Sequence, residues 1–306
     1  MTLPDFVGIG VPRGGTTWLH EVLTSHPQVW VPTRRKEVGF FDVNYDRGTQ
    51  WYAAFFPPDH QAGQYTAIGE ITAHYLYEPD GPDRMAAMGT IDKLILMLRH
   101  PVDRAYSHYW HQARIENYEG SFEQALEEWP MLLDRSIYSE GIARYRARFG
   151  PEQMLVLISE EAHSDAPSAR GQLAAFLDLD TGLFAQDAGN ERVNAANVPR
   201  FPKAYAIAWH LDAWLRKENL DWVVNLGRRL GARRLLRQGK QRPAMRPETR
   251  AQLNDFFAQE IERLEVLLQR DLAIWRQDSR LPYPLPSDGD NVPANAAQAP
   301  QKEEQP

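Results

Sequence analysis

Apolar residues along this chain gather in short, nearly unbroken runs, separated by stretches with helical spacing. Phe6 to Val11, Ala67 to Ile71, Lys93 to Leu98 and Met154 to Ile158 are runs of strand length, and Gln28 to Val31 is a shorter one. Such runs suit strands buried on both faces, as in a parallel sheet. After the first run, Trp18, Leu19, Val22 and Leu23 share one helical face. Trp51, Tyr52, Phe55 and Phe56 predict a short helix that closes at Pro57-Pro58. Proline suits a first helical turn, so Pro101 predicts a helix from Val102 to Glu116. Ser121 and Gln124 have the spacing of a capping box and open a helix to Glu128. Further helices are expected over Ile142 to Phe149 and Ala169 to Leu177. Strands alternating with helices predict an α/β fold: a P-loop-like central parallel sheet flanked by helices.

The second half of the chain is helical by pattern. Residues 203–237 are amphipathic, and their tryptophans, Trp209, Trp214 and Trp222, read as packing residues. A long helix is expected from Pro247 to about Trp275, with Leu253, Phe256, Phe257, Ile261, Leu264, Leu267, Leu268 and Leu272 at helical spacing. From residue 279 the chain is rich in Pro, Ala, Gln and acid, a composition that predicts disorder. The division is therefore one domain over 1–278 and a tail over 279–306. His108 and His111 stand three apart on a helix, and a solvated face is expected for them.

Composition narrows the classes. Hydrophobic residues make up 43% of the 306, enough for a sizeable core. The net charge of −7 gives no argument for a nucleic-acid partner. There are no cysteines, which excludes disulfides, thiolate metal sites and cysteine nucleophiles. No apolar run reaches the ~18 residues of a membrane span. The first strand starts too early to leave room for a signal peptide, so a cytoplasmic location is expected. One basic stretch, 228–242, reads as a solvated helix face; peripheral contact with an anionic lipid or polysaccharide is the sharper alternative.

The candidate chemistry lies where the first strand breaks, at Pro12-Arg13-Gly14-Gly15-Thr16-Thr17. A strand, a glycine turn and a helix N-terminus form an anion cradle, because the first helical amides lack intrahelical partners. Three ligands compete for it. A Walker loop would have a lysine where Thr16 stands, and an acid at the end of the partner strand, where Arg99 stands. A dinucleotide site would need a fingerprint that Gly8, Gly10 and Gly14 miss by one residue. A metal-free nucleotide with a second phosphate accounts for both departures: Arg13 faces one phosphate, and Arg99, with Ser107 on the next helix, faces the other.

These residues carry a resemblance. Pro12-Arg13-Gly14-Gly15-Thr16-Thr17-Trp18-Leu19 resembles the 5′-phosphosulfate loop of sulfotransferases that use 3′-phosphoadenosine 5′-phosphosulfate (PAPS). Leu98-Arg99-His100-Pro101 through Ser107-His108-Tyr109 is similar to their 3′-phosphate motif. Lys36-Glu37-Val38-Gly39-Phe40-Phe41-Asp42 resembles the block that supplies the catalytic base in the heparan-sulfate-type branch, and Gly69-Glu70-Ile71-Thr72 matches a further block. Lys240-Gln241-Arg242 falls where that branch has a loop closing over the nucleotide.

The resemblance implies transfer of a sulfuryl group from PAPS, leaving PAP, with no metal. Glu37 is then the base and Arg13 the leaving-group cation. Arg13, Gly14, Gly15, Thr16, Thr17, Trp18, Arg99, Ser107, Lys240, Gln241 and Arg242 bind the nucleotide. The implied acceptor is a hydroxyl on a carbohydrate or glycolipid, or else on a small metabolite. Arg13 replaces the usual lysine, while Gly39 and Ile71 stand where a histidine and a lysine are common. The last two losses suggest an acceptor unlike a highly charged glycosaminoglycan. The rival classes are a P-loop kinase and a non-catalytic nucleotide-binding module.

Overall fold

The computed structural model describes residues 1–185, 187–189, 202–218, 220, 223 and 243–276. Its strands are β1 (Phe6–Gly10), β2 (Val29–Trp30), β3 (Ala67–Ile71), β4 (Lys93–Leu98) and β5 (Met154–Ile158). They form a five-stranded parallel sheet in the order β2-β3-β1-β4-β5. Parallel neighbours need long crossovers. Those between β1 and β5 hold α1 (Thr16–Thr24), α2 (Gly48–Ala53), α3 (Asp59–Ala62), α4 (Gly81–Met88), α5 (Pro101–Glu116), α6 (Phe122–Glu128), α7 (Met131–Asp134) and α8 (Ser139–Arg146). After β5 come α9 (Ser159–Ser164), α10 (Ala166–Leu177), α11 (Pro202–Lys217) and α12 (Pro247–Leu268).

Side chains alternate across a strand, and β4 shows what that does here. Leu94, Leu96 and Leu98 join a core with Val7, Ile9, Phe40, Phe41, Tyr52, Tyr75 and Leu264. Ile95 and Met97 join the opposite core with Phe6, Trp18, Leu19, Val22, Leu23 and Leu173. The sheet is thus covered on both faces, as the unbroken apolar runs require. A third cluster clamps α5 to α6 and α12 through Val102, Tyr109, Phe122, Leu253 and Phe257. The capping box at Ser121 is formed in both directions.

Several expectations shift. The final helix ends at Leu268, not Trp275: Gln269 turns left-handed at φ 51° and the Glu265 carboxylate accepts the Leu272 amide at 2.9 Å. The helix carrying Trp51 ends at Ala53, before Phe55. His108 is buried, not on a solvated face, and pairs with Arg104 Nη1 at 3.0 Å. Trp214 is 54% exposed instead of packed. Trp222, the basic stretch 228–242 and the tail over 279–306 lie outside the described residues. Among those described, no helix is long and apolar enough to cross a membrane.

Candidate active site

The sheet order reverses at β1, which pairs with β3 on one side and β4 on the other. Parallel α/β sheets bind ligands outside the carboxyl ends of strands at such a switch point. The glycine turn follows the end of β1, and Arg99 follows the end of β4.

The turn is held tightly against β4. Val11 N donates to Met97 O at 3.0 Å, and Gly14 N donates back to Val11 O at 2.9 Å. A Cβ on Gly14 would stand 2.6 Å from Met97 O, so this position admits no side chain without moving the turn. Arg13 has φ 70°, a left-handed conformation rare for a residue with a side chain. Two contacts anchor it: Arg13 Nε donates to Ser107 Oγ at 3.1 Å, and Arg99 Nη1 donates to Arg13 O at 3.4 Å. Gly15 then caps α1, and no side chain occupies that cap. The first turn of α1 holds no acid either, so its amides and the positive end of its dipole are available to an anion. Trp18 reaches the site only through its main chain, since its ring is buried in the core and donates to Gly189 O at 2.9 Å.

Arg99 is placed with equal care. The Tyr138 hydroxyl donates to Arg99 O at 2.9 Å, and His100 N donates to Glu160 Oε1 at 3.0 Å. His100 Nδ1 accepts the Val102 amide at 3.2 Å, which caps α5 and sets the face on which Ser107 stands. The structure therefore brings Arg13, Gly14, Gly15, Thr16, Thr17, Arg99 and Ser107 into one crevice. Lys240, Gln241 and Arg242 lie outside the described residues.

A second group of residues reaches the same crevice from the loop after β2. Lys36 Nζ lies 2.9 Å from Thr17 Oγ1 and 3.7 Å from the Glu37 carboxylate. Glu37 in turn lines a cleft of about 670 Å³, with Asp42, Thr72, His74 and Arg135 among its other walls. Arg35, Arg47 and Arg135 line it together with Glu37, Asp42 and Glu78, so the cleft carries charges of both signs. Burial raises the Asp42 carboxyl above its usual range and lowers the His74 imidazole below its own. Gly39 has φ 65°, and a Cβ there would stand 3.0 Å from Asp42 Oδ1, which explains why no side chain occupies this position.

Beneath this loop lies a carboxylate whose role the sequence did not reveal. Glu70 on β3 is fully buried and accepts from Tyr75 Oη at 2.5 Å, Thr72 Oγ1 at 2.8 Å and Tyr52 Oη at 3.2 Å. Two of those hydroxyls also accept main-chain amides of the loop: Thr72 from Gly39 at 3.1 Å, and Tyr75 from Phe40 at 2.7 Å. Burial pushes the Glu70 carboxyl up to about 7, against the pull of its three hydroxyl donors. An acid inside an otherwise apolar strand was the available signal. Lys36 was likewise overlooked as a site residue, although it directly precedes the candidate base. Among the described residues, no group of three or more His, Asp or Glu is placed to hold a metal ion.

Residues 3–264 match the family described as the sulfotransferase domain. A solved sulfotransferase from Alicyclobacillus acidocaldarius is 25% identical with a TM-score of 0.61, covering 90% of this chain and 100% of that one. The human bifunctional heparan sulfate N-deacetylase/N-sulfotransferase 3 is 31% identical over a match that spans 58% of this chain and 22% of its own length. Human heparan sulfate glucosamine 3-O-sulfotransferase 3B1 is 33% identical, over 58% of this chain and 46% of its own. The match thus spans less than half the length of either of these two curated relatives.

Proposed function

This chain belongs to the sulfotransferase domain family, and we propose that it moves a sulfuryl group from PAPS to a hydroxyl on a carbohydrate or glycolipid. The observation that carries the reading is the 3.1 Å hydrogen bond from Arg13 Nε to Ser107 Oγ. It joins the glycine turn to the helix after β4, so that donors for two separate phosphates lie side by side. A Walker-type site has no use for the second set.

Bound PAPS supplies the sulfuryl group and a phosphate leaving group. The free amides of α1, with the Thr16 and Thr17 hydroxyls, bind the 5′ side. Arg13 adds positive charge there but gives up no proton, because guanidinium stays protonated. Arg99 offers a fork of donors, and with Ser107 it suits the 3′-phosphate. Glu37 borders the acceptor cleft and takes the hydroxyl proton as the acceptor oxygen attacks. Its carboxylate is 39% exposed, so an acceptor can reach it.

Two relatives are named for heparan sulfate, which supports a carbohydrate acceptor. The balanced charges of the cleft favour one less densely anionic than a glycosaminoglycan. Calorimetric titration with PAP and with Mg-ATP tests the donor half of this reading. PAP is expected to bind more tightly. Tighter Mg-ATP binding would point to a kinase, and PAP binding with no transfer to any hydroxyl compound would point to a nucleotide-binding module.

A further inference from the structure

Lys36 stands on the loop after β2, yet its Nζ reaches the first turn of α1. It lies 2.9 Å from Thr17 Oγ1 and 3.5 Å from Thr16 Oγ1. The side chain is only 28% exposed. This is an unfavourable place for an ammonium: the positive end of a helix dipole, with no acid in the helix's first turn. Burial lowers the Lys36 pKa and the nearby Arg13 adds to the shift, while Glu37 and, further along α1, Glu21 oppose it. Positive charge collected against a helix N-terminus is stabilised once an anion arrives there. The glycine turn itself offers no lysine, since Thr16 occupies that position, and Arg13 Nε is engaged by Ser107.

We propose that Lys36 is a catalytic residue of sulfuryl transfer, whose ammonium donates to the oxygen bridging sulfur and the 5′-phosphate as charge builds there. The inference rests on the PAPS-dependent reading given above. The acceptor oxygen bonds to sulfur, the bond from sulfur to the bridging oxygen breaks, and its electron pair stays on the phosphate. The acceptor proton passes to Glu37. Lys36 stays protonated throughout and contributes charge and a hydrogen bond. Its three donors on a flexible stem can turn from the threonine hydroxyls to the phosphosulfate oxygens without losing contact with the helix end. A lysine supplied by the acceptor-side loop thereby replaces the one missing from the turn. It also ties the leaving-group cation to the base in adjacent positions, 36 and 37.

The test compares wild type, Lys36→Gln and Lys36→Arg, each first shown to keep its thermal midpoint. Turnover of radiolabelled PAPS is followed with desulfated heparan-sulfate oligosaccharide and with water as acceptors. Lys36→Gln should lower kcat by roughly the 10²–10³ of a lost transition-state donor, and Lys36→Arg should recover part of it. Independently of turnover, PAP is titrated by calorimetry in two buffers of different ionisation enthalpy. An anion that restores the lysine pKa makes wild type take up protons on binding, increasingly so as pH rises, and Lys36→Gln should abolish that uptake. A folded Lys36→Gln with wild-type kcat and unchanged proton uptake would overturn the proposal. So would an Arg variant as slow as the Gln variant. If wild type neither binds PAP nor turns over PAPS, the sulfuryl-transfer reading itself falls, and Lys36 with it.

Discussion

Tyr75 hangs the loop after β2 from Glu70. Its hydroxyl donates to Glu70 Oε1 at 2.5 Å and accepts the amides of Phe40 at 2.7 Å and Phe41 at 3.3 Å. Tyr75→Phe removes all three bonds while leaving the ring in its core. A buried hydrogen bond to a charged group is worth about 1.5–3 kcal/mol, so denaturant unfolding should show a loss of that order. Transfer should slow, because Glu37 stands three residues before Phe40, the first amide that Tyr75 holds. PAP affinity should hold, since no phosphate-facing group touches Tyr75. A variant that loses PAP affinity instead would assign Tyr75 to the nucleotide side.

Glu70 gives stability a defined pH dependence. Burial raises its carboxyl from the ordinary 4.5 to about 7 in the folded protein. The unfolded chain therefore releases this proton first as pH rises. The stability tied to Glu70 is fully present below about pH 4.5 and lost as pH climbs through about 7. Urea midpoints of wild type, measured relative to Glu70→Gln between about pH 5 and pH 8, should fall with rising pH and level off at the top. A difference that stays constant across that range would mean Glu70 ionises as it does in the unfolded chain.

Arg99 and Ser107 are expected to govern affinity for the nucleotide. Arg99→Ala should weaken PAP binding by the roughly 1.5–3 kcal/mol of a charge-assisted bond. Adenosine 5′-phosphosulfate, which lacks the 3′-phosphate, should bind wild type and variant nearly alike. Calorimetry with both ligands checks this. An equal loss for the two would move Arg99 to the 5′ side.

The sheet was legible because burial on both faces writes itself as unbroken apolar runs, seen from Phe6 to Gly10 and from Lys93 to Leu98. The glycine turn was legible because Gly14 has no room for a Cβ. Contacts between distant segments were not. His108 looked like a surface residue by spacing, but it is buried and pairs with Arg104 one turn earlier on α5. Glu70 looked like one more strand residue, although the hydroxyls of Thr72 and Tyr75 just after it and of Tyr52 from α2 converge on it. Lys36 read as part of a block. Its reach to Thr17 depends on how the loop after β2 folds over α1, which no local pattern encodes.

Glu37 as the base is the claim on which the mechanism turns. The direct measurement pairs two quantities in Glu37→Gln: PAP affinity by calorimetry and the rate of sulfate transfer from labelled PAPS to a carbohydrate hydroxyl. PAP binding should stay within a few tenths of a kcal/mol of wild type, while the rate falls by the roughly 10²–10⁴ of a lost general base. Transfer at the wild-type rate, or a collapse of PAP binding, would contradict the account.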